Sequence, residues 1–107
     1  MILRRWTGRI RTADEAEYRA YIAGTGGKAY LATPGNRGWQ MVFRDLGDGT
    51  SEVQTLSWWT DLDVIKGFAG EAYETAVYYP EDDRFLLARP PNVDHFRVVD
   101  GLGPTAT

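Results

Sequence analysis

Residues 38–59 read GWQMVFRDLGDGTSEVQTLSWW, two alternating runs hinged on Gly47-Asp48-Gly49. In the first run Trp39, Met41 and Phe43 share one side. The hinge residues tolerate the positive φ of a tight connection, so the second run, Ser51 to Trp59, is predicted to double back on the first as an antiparallel hairpin. That second run places Val53 and Trp59 on one parity and Leu56 and Trp58 on the other. Both faces of its sheet therefore ask for cover.

Upstream, residues 2–11 put Ile2, Trp6 and Ile10 on one parity and Arg5, Thr7, Arg9 and Arg11 on the other. This alternation predicts a strand, with Arg4 as the exception on the apolar side. Thr12-Ala13-Asp14-Glu15 has the spacing of a capping box, which starts a helix carrying Tyr18, Tyr21, Ile22 and Ala29 as its apolar stripe. Gly24, Gly26 and Gly27 weaken its second half, since glycine in a helix costs about 1 kcal/mol relative to alanine. We expect a flexible break there that gates a pocket; the spacing is not that of a nucleotide loop. Thr33-Pro34-Gly35-Asn36 is a turn leading into the hairpin.

Downstream, Thr60-Asp61-Leu62-Asp63 caps a second helix, in which Leu62, Ile65, Phe68 and Ala69 recur at helical spacing up to Gly70. Pro80-Glu81-Asp82-Asp83 reads as the first turn of a short helix, its carboxylates meeting the positive end of the dipole on a solvated face. Pro90-Pro91 stops it, and Asn92 to Asp100 alternates as a last strand. The order strand, helix, strand, strand, helix, short helix, strand is that of an α+β, ferredoxin-like split βαβ unit with one antiparallel sheet and one helical layer. A second copy laid on the open sheet face is the simplest cover for its tryptophans, which predicts a homodimer through sheet faces.

The chain has 107 residues and a mass of 12.0 kDa, the size of one domain. We place that domain at 1–100, with a flexible tail over 101–107. There is no cysteine, one histidine and a net charge of -3. Disulfide scaffolds, thiolate nucleophiles and multi-histidine metal sites within one chain are thereby excluded, and nucleic acid is a poor partner for an acidic surface. No apolar run has the length of a membrane span and the first residues lack a signal-peptide core, which predicts a cytoplasmic protein that does not contact membranes.

Several stretches resemble one family: the opening Ile2-Leu3-Arg4-Arg5-Trp6-Thr7-Gly8-Arg9-Ile10, Ala32-Thr33-Pro34-Gly35-Asn36-Arg37-Gly38, Leu56-Ser57-Trp58-Trp59-Thr60-Asp61 and Ile65-Lys66-Gly67-Phe68-Ala69-Gly70-Glu71. With Ala76-Val77-Tyr78-Tyr79-Pro80-Glu81-Asp82-Asp83 and Asp94-His95-Phe96, they are similar to the antibiotic biosynthesis monooxygenase family of dimeric α/β barrel proteins. The resemblance implies a pocket between sheet and helices, used in the family by cofactor-free oxygenases of phenols and anthrones and by haem-degrading enzymes. The haem degraders carry an asparagine on the first strand and a tryptophan, then a histidine, at and after the second helix. This chain has Trp6 and Thr7, Phe68, and a residue near Tyr78 there, so iron would have to take tyrosinate or the distant His95.

A cofactor-independent oxygenase has to bind a substrate anion, exclude water and control a proton. Trp6, Trp59, Phe68, Tyr73 and Tyr79 are the candidate substrate-binding wall for a small flat aromatic ligand, with ordinary core packing as the alternative. Tyr78 and His95 are the candidate proton-handling catalytic residues, although His95 beside Asp94 also suits a structural or interface role. The arginines of the first strand can hold an enolate or phenolate or pair with neighbouring acids. Glu81-Asp82-Asp83 has the oxygens for a hard cation but reads better as a helix start, so no metal is expected and no cofactor is required. The function expected is oxygenation of small aromatic or polyketide-like compounds. The alternatives are a non-enzymatic ligand-binding or stress-related structural dimer and a haem-binding or haem-degrading protein.

Overall fold

A computed structural model describes residues 1–101. The strands are β1 (Ile2–Arg11), β2 (Asn36–Asp45), β3 (Thr50–Trp59) and β4 (Asp94–Arg97), and the helices are α1 (Glu15–Gly24), α2 (Gly26–Ala32), α3 (Leu62–Ala69) and α4 (Asp82–Phe85). The sheet is antiparallel in the order β2-β3-β1-β4, which is the ferredoxin-like α+β arrangement expected from the sequence. The tail expected over 101–107 lies, from 102 onward, outside the described residues. Among the described residues no helix is long and apolar enough to cross a membrane.

The hairpin forms as its alternation requires, with Trp39 opposite Ser57, Met41 opposite Thr55 and Phe43 opposite Val53 on the inner face. Gly47 and Gly49 both take positive φ, 82° and 88°, in the connection. On β3 the alternation is complete: Ser51, Val53, Thr55, Ser57 and Trp59 are buried, while Glu52, Gln54, Leu56 and Trp58 are half-buried on the outer face. Asp61 caps α3 by accepting the Val64 amide at 3.0 Å, and Gly70 ends it at φ 84°. The inner face and the helices enclose two cores, one around Trp6, Ile10, Tyr18 and Val53 and one around Tyr30, Trp59 and Ile65.

Two local expectations are corrected, and the helix break falls where it was expected. The capping box does not form, because Thr12 enters a 3-10 turn (Thr12–Asp14) and both box side chains turn to the sheet. Thr12 Oγ1 lies 2.9 Å from Ser51 Oγ, and that hydroxyl donates to Glu15 Oε2 at 2.5 Å. The helix break falls at Thr25, within the expected stretch 24–27, and the following glycines start α2 at once, buried against neighbours. A Cβ on Gly27 would stand 2.3 Å from the Trp39 indole, so glycine there permits close packing as well as the break. Finally, β4 covers Asp94–Arg97 and not 92–100: Ile2 pairs with Arg97, β1 then runs out, and the Val98 amide takes the Met1 carbonyl as the last rung. Before Asp94 the chain pairs with another segment, Val93 donating to the Glu74 carbonyl at 2.9 Å.

Candidate active site

An interior cavity opens between the inner face of the sheet and the helical layer. β1 contributes Arg4 and Trp6 and β3 contributes Thr55; α1 and α2 bring Tyr18, Ile22, Gly26 and Tyr30. Phe68 of α3 closes one side, and the segment Val77-Tyr78-Tyr79 with Asp82 and Val93 closes the other. The water-accessible space inside is about 30 Å³, room for a single water, so a ring system enters only when side chains move apart.

Of the residues singled out in the sequence, Trp6, Phe68, Tyr78 and Tyr79 line this cavity. The Trp6 indole donates to the Tyr78 hydroxyl at 3.3 Å, and that hydroxyl in turn donates to the Pro90 carbonyl. The Tyr78 proton is therefore already engaged in this conformation. Trp59 stands behind the wall: it is fully buried, donates to Ser57 Oγ at 2.9 Å and backs Phe68 with ring centroids 5.6 Å apart. Tyr73 and His95 sit outside the cavity and touch each other, ring edge to face, at 5.4 Å.

Arg4 links the two groups. The β1 alternation points it inward, where it is 2 % exposed, and no carboxylate among the described residues pairs with it. Its Nη1 donates to the Tyr73 carbonyl at 2.8 Å and lies 3.3 Å from His95 Nε2, and its Nη2 donates to the Thr75 carbonyl at 3.3 Å. Burial lowers its pKa. His95 is also held below its ordinary 6.5, by burial first and then by the adjacent Arg4 charge, against the pull of Glu74 and Asp94. Of the other first-strand arginines considered as anion holders, Arg5 faces the outer side and pairs with Asp94 at 2.9 Å, and Arg9 is exposed.

Asp82 departs from the solvated helix face expected of it. It is 2 % exposed and lines the cavity, its Oδ2 accepting the Tyr79 amide at 2.5 Å. Its Oδ1 and the nearby Tyr21 hydroxyl are both buried without a partner in bonding geometry. Burial pushes the Asp82 carboxyl up, partly offset by the Tyr79 amide, and pushes the Tyr21 hydroxyl up to about 12. Asp83 meanwhile pairs with Arg89 on the outside, so the three adjacent carboxylates diverge. Among the described residues no three metal-binding side chains gather. Tyr30, whose hydroxyl meets Thr55 Oγ1 at 3.1 Å, was not singled out in the sequence; nothing in a tyrosine beyond a helix break marks it as cavity-lining.

No protein-family model and no curated protein matches the sequence. Solved structures do. A putative antibiotic biosynthesis monooxygenase from Caulobacter crescentus superposes with a TM-score of 0.60 at 17% identity, covering 92% of this chain and 90% of its own. A monooxygenase from the gene ActVA-Orf6 of Streptomyces coelicolor, solved with the ligand Nanaomycin D, gives 0.57 at 14% identity over 97% of this chain and 92% of its own. A mutant of MhuD with two manganese protoporphyrin IX bound per active site gives 0.57 at 16% identity over 97% and 100%. What the chain shares with them is the fold of antibiotic biosynthesis monooxygenase-type proteins, as the sequence resemblance implied.

Proposed function

We propose that this protein is a cofactor-independent oxygenase of small aromatic compounds, working as a homodimer packed through the outer face of its sheet. The observation that carries the reading is the cavity walled by Trp6, Phe68, Tyr78 and Tyr79, with a buried arginine and no carboxylate beside that arginine. Aromatic walls receive a flat ring system, and the positive charge favours its ionised form. An anthrone-type methylene becomes a carbonyl when dioxygen supplies that oxygen and leaves its other atom as water. All four electrons come from the substrate, so the balance needs no external reductant.

The protein's share of that reaction is to hold the anion, exclude water and move a proton. Tyr78 is the proton-handling candidate, provided that ligand entry releases its bond to Pro90. Trp59 supports Phe68 from behind, and His95 and Tyr73 act through Arg4 as positioning residues. Haem fits these residues poorly. The sole imidazole, His95, lies outside the cavity with Nε2 against Arg4, and the free space is far below that of a porphyrin.

A second reading, ligand binding without turnover, is favoured by the narrow cavity and the engaged Tyr78 hydroxyl. Oxygen uptake separates the two. Purified protein given anthrones and hydroxynaphthoquinols without added flavin, haem or metal is expected to consume oxygen, and Tyr78→Phe is expected to slow turnover about 100-fold. Saturable quenching of tryptophan fluorescence without oxygen uptake would establish the binder instead.

A further inference from the structure

Among the described residues Arg4 is the only buried arginine, and the ion pairs of the molecule all lie elsewhere. An isolated charge is expensive to bury, so its neighbours have to satisfy it or a ligand has to. A guanidinium has one N–H on Nε and two on each terminal nitrogen. In Arg4 both Nη1 hydrogens are directed at the Tyr73 carbonyl and His95 Nε2, and one Nη2 hydrogen at the Thr75 carbonyl. Those three acceptors are all neutral when His95 is unprotonated. The Nε–H and one of the two Nη2–H groups find no acceptor among the described residues.

With the Tyr73 and Thr75 carbonyls taking the outward Nη1 and Nη2 hydrogens, these two unspent donors share one edge of the planar group and run parallel. That edge is the half of the guanidinium that matches two adjacent oxygens, as a carboxylate presents them. Arg4 lines the aromatic cavity, and its guanidinium carbon lies 5.5 Å from the centre of the Phe68 ring. Positive charge, a paired donor edge and flat aromatic walls thus meet in one space. The cavity's other charged side chain, Asp82, is on the helical side and disfavours a second negative group on the same ligand.

We propose that the Nε/Nη2 edge of Arg4 is an oxyanion subsite for a planar aromatic monoacid, whose rings lie among Trp6, Phe68 and Tyr79 and whose two adjacent oxygens, either a carboxylate or an ionised hydroxyl beside a carbonyl, take the two free N–H groups. This rests on the aromatic-cavity reading above and narrows its substrate class from aromatic compounds in general to acidic ones. His95 and the carbonyls of Tyr73 and Thr75 hold the far edge of the guanidinium and so set the plane in which the acid must lie. A neutral phenol, or an anion with a single oxygen, uses only half of this edge.

The test pairs 2-hydroxy-1,4-naphthoquinone, which is ionised at neutral pH and has a carbonyl beside its oxyanion, with its 2-methoxy ether, which has nearly the same shape without the charge. Tryptophan quenching by the wild-type protein is expected to show the anion binding about tenfold or more tighter than the ether. Arg4→Met is expected to reduce that preference to about threefold or less while the ether still binds. Arg4→Lys keeps the charge but not the paired edge and is expected to lose most of the preference, which provides a second variant if Arg4→Met does not fold. Absorbance of the wild-type complex adds a readout independent of any variant: the bound quinone is expected to ionise at lower pH than the free one. Equal wild-type affinity for anion and ether, or a preference that survives Arg4→Met, overturns the oxyanion subsite and leaves the aromatic cavity standing. Binding of neither probe overturns both. Tight, Arg4-dependent binding of the anion without oxygen uptake by any substrate keeps the subsite and removes only the oxygenase.

Discussion

Arg4 and His95 are directly paired residues of β1 and β4, and the Arg4 Nη1 approaches His95 Nε2 to 3.3 Å. A hydrogen bond at that position requires an unprotonated Nε2, so the ring proton belongs on Nδ1. A second proton would set two positive charges side by side on a half-buried strand.

His95 in the folded chain therefore holds its proton less tightly than in the unfolded chain, where its value is the ordinary 6.5. Its contribution to stability is complete above 6.5 and is lost as the pH falls from there toward its lower folded value. NMR titration of the imidazole is expected to give a midpoint below 6.5. Thermal unfolding is expected to show a fall in Tm over the same window, and His95→Gln, which keeps a polar group without titrating, is expected to flatten it. A midpoint above 6.5 would mean that Glu74 and Asp94 outweigh burial and Arg4.

Asp82 gives the opposite sign. Its folded carboxyl binds a proton more tightly than the ordinary 3.8, so the stability it contributes is present at low pH and is lost as the pH rises through the folded value. Asp82→Asn removes that ionisation while retaining an oxygen for the Tyr79 amide. Its Tm at neutral pH is expected to equal or exceed that of the wild type by a few degrees, with the gain vanishing near pH 4, about the ordinary carboxylate value. A variant less stable than the wild type at neutral pH would show that the ionised carboxylate is needed to hold Tyr79.

Gly8 lies between Trp6 and Ile10 on the inner side of β1, and the Trp6 ring covers it. A Cβ there would stand 2.5 Å from Trp6 Cη2 and 3.3 Å from Leu86 Cδ2. Alanine is ordinarily the better strand residue, but here it forces the indole away from the Tyr78 hydroxyl. Gly8→Ala is expected to cost about 1–3 kcal/mol in urea unfolding, as overpacking does, and to weaken aromatic ligand binding with it. An unchanged midpoint would mean that the ring yields freely and that its close approach to Gly8 does not hold it in place.

The outer face of the sheet sets Leu56 and Trp58 of β3 and Phe96 of β4 among Arg5, Arg44 and Glu52. Light scattering is expected to give twice the 12.0 kDa chain mass. Trp58→Glu is expected to weaken the dimer about 30-fold or more, as removal of a central interface aromatic does, while the monomer stays folded because Trp58 lies outside both cores. A mass near 12.0 kDa for the wild type at micromolar concentration would rule out the dimer.

The fold was legible because most of its signals are local. The alternation of β1 and β3, the Gly47-Asp48-Gly49 connection and the Asp61 cap each act over a few residues, and together they leave one topology. Where the reading departed from the structure, a distant partner had intervened: Ser51 took both capping-box side chains, and the start of β1 set the end of β4. Of the aromatics singled out in the sequence, Trp6, Phe68, Tyr78 and Tyr79 line the candidate cavity while Trp59 and Tyr73 do not, and Arg4 stood out only as a lone charge on an apolar parity. Asp82 was not legible as a cavity residue. A carboxylate after proline at a helix start looks the same in sequence whether its helix lies on the surface or turns that position inward, and only packing against Tyr18, Tyr21 and Tyr79 decides it.

β4 pairs with β1 only as far as Arg5, which leaves the rest of β1 without a strand on that side, opposite β3. Residues 86–88 take that place, the Leu87 amide bonding to the Arg9 carbonyl at 2.8 Å and Ala88 bridging to Arg9. Pro90-Pro91 follows and cannot extend the pairing. The segment is thus a plug in the one long gap where a foreign strand could otherwise have joined the middle of β1. At the other side β2 carries Arg37, Arg44 and Asp45, charges that resist the addition of a strand. With these margins guarded, the molecule resists growth into a continuous ribbon of chains, and the broad outer side of the sheet is left as the surface for the proposed second copy.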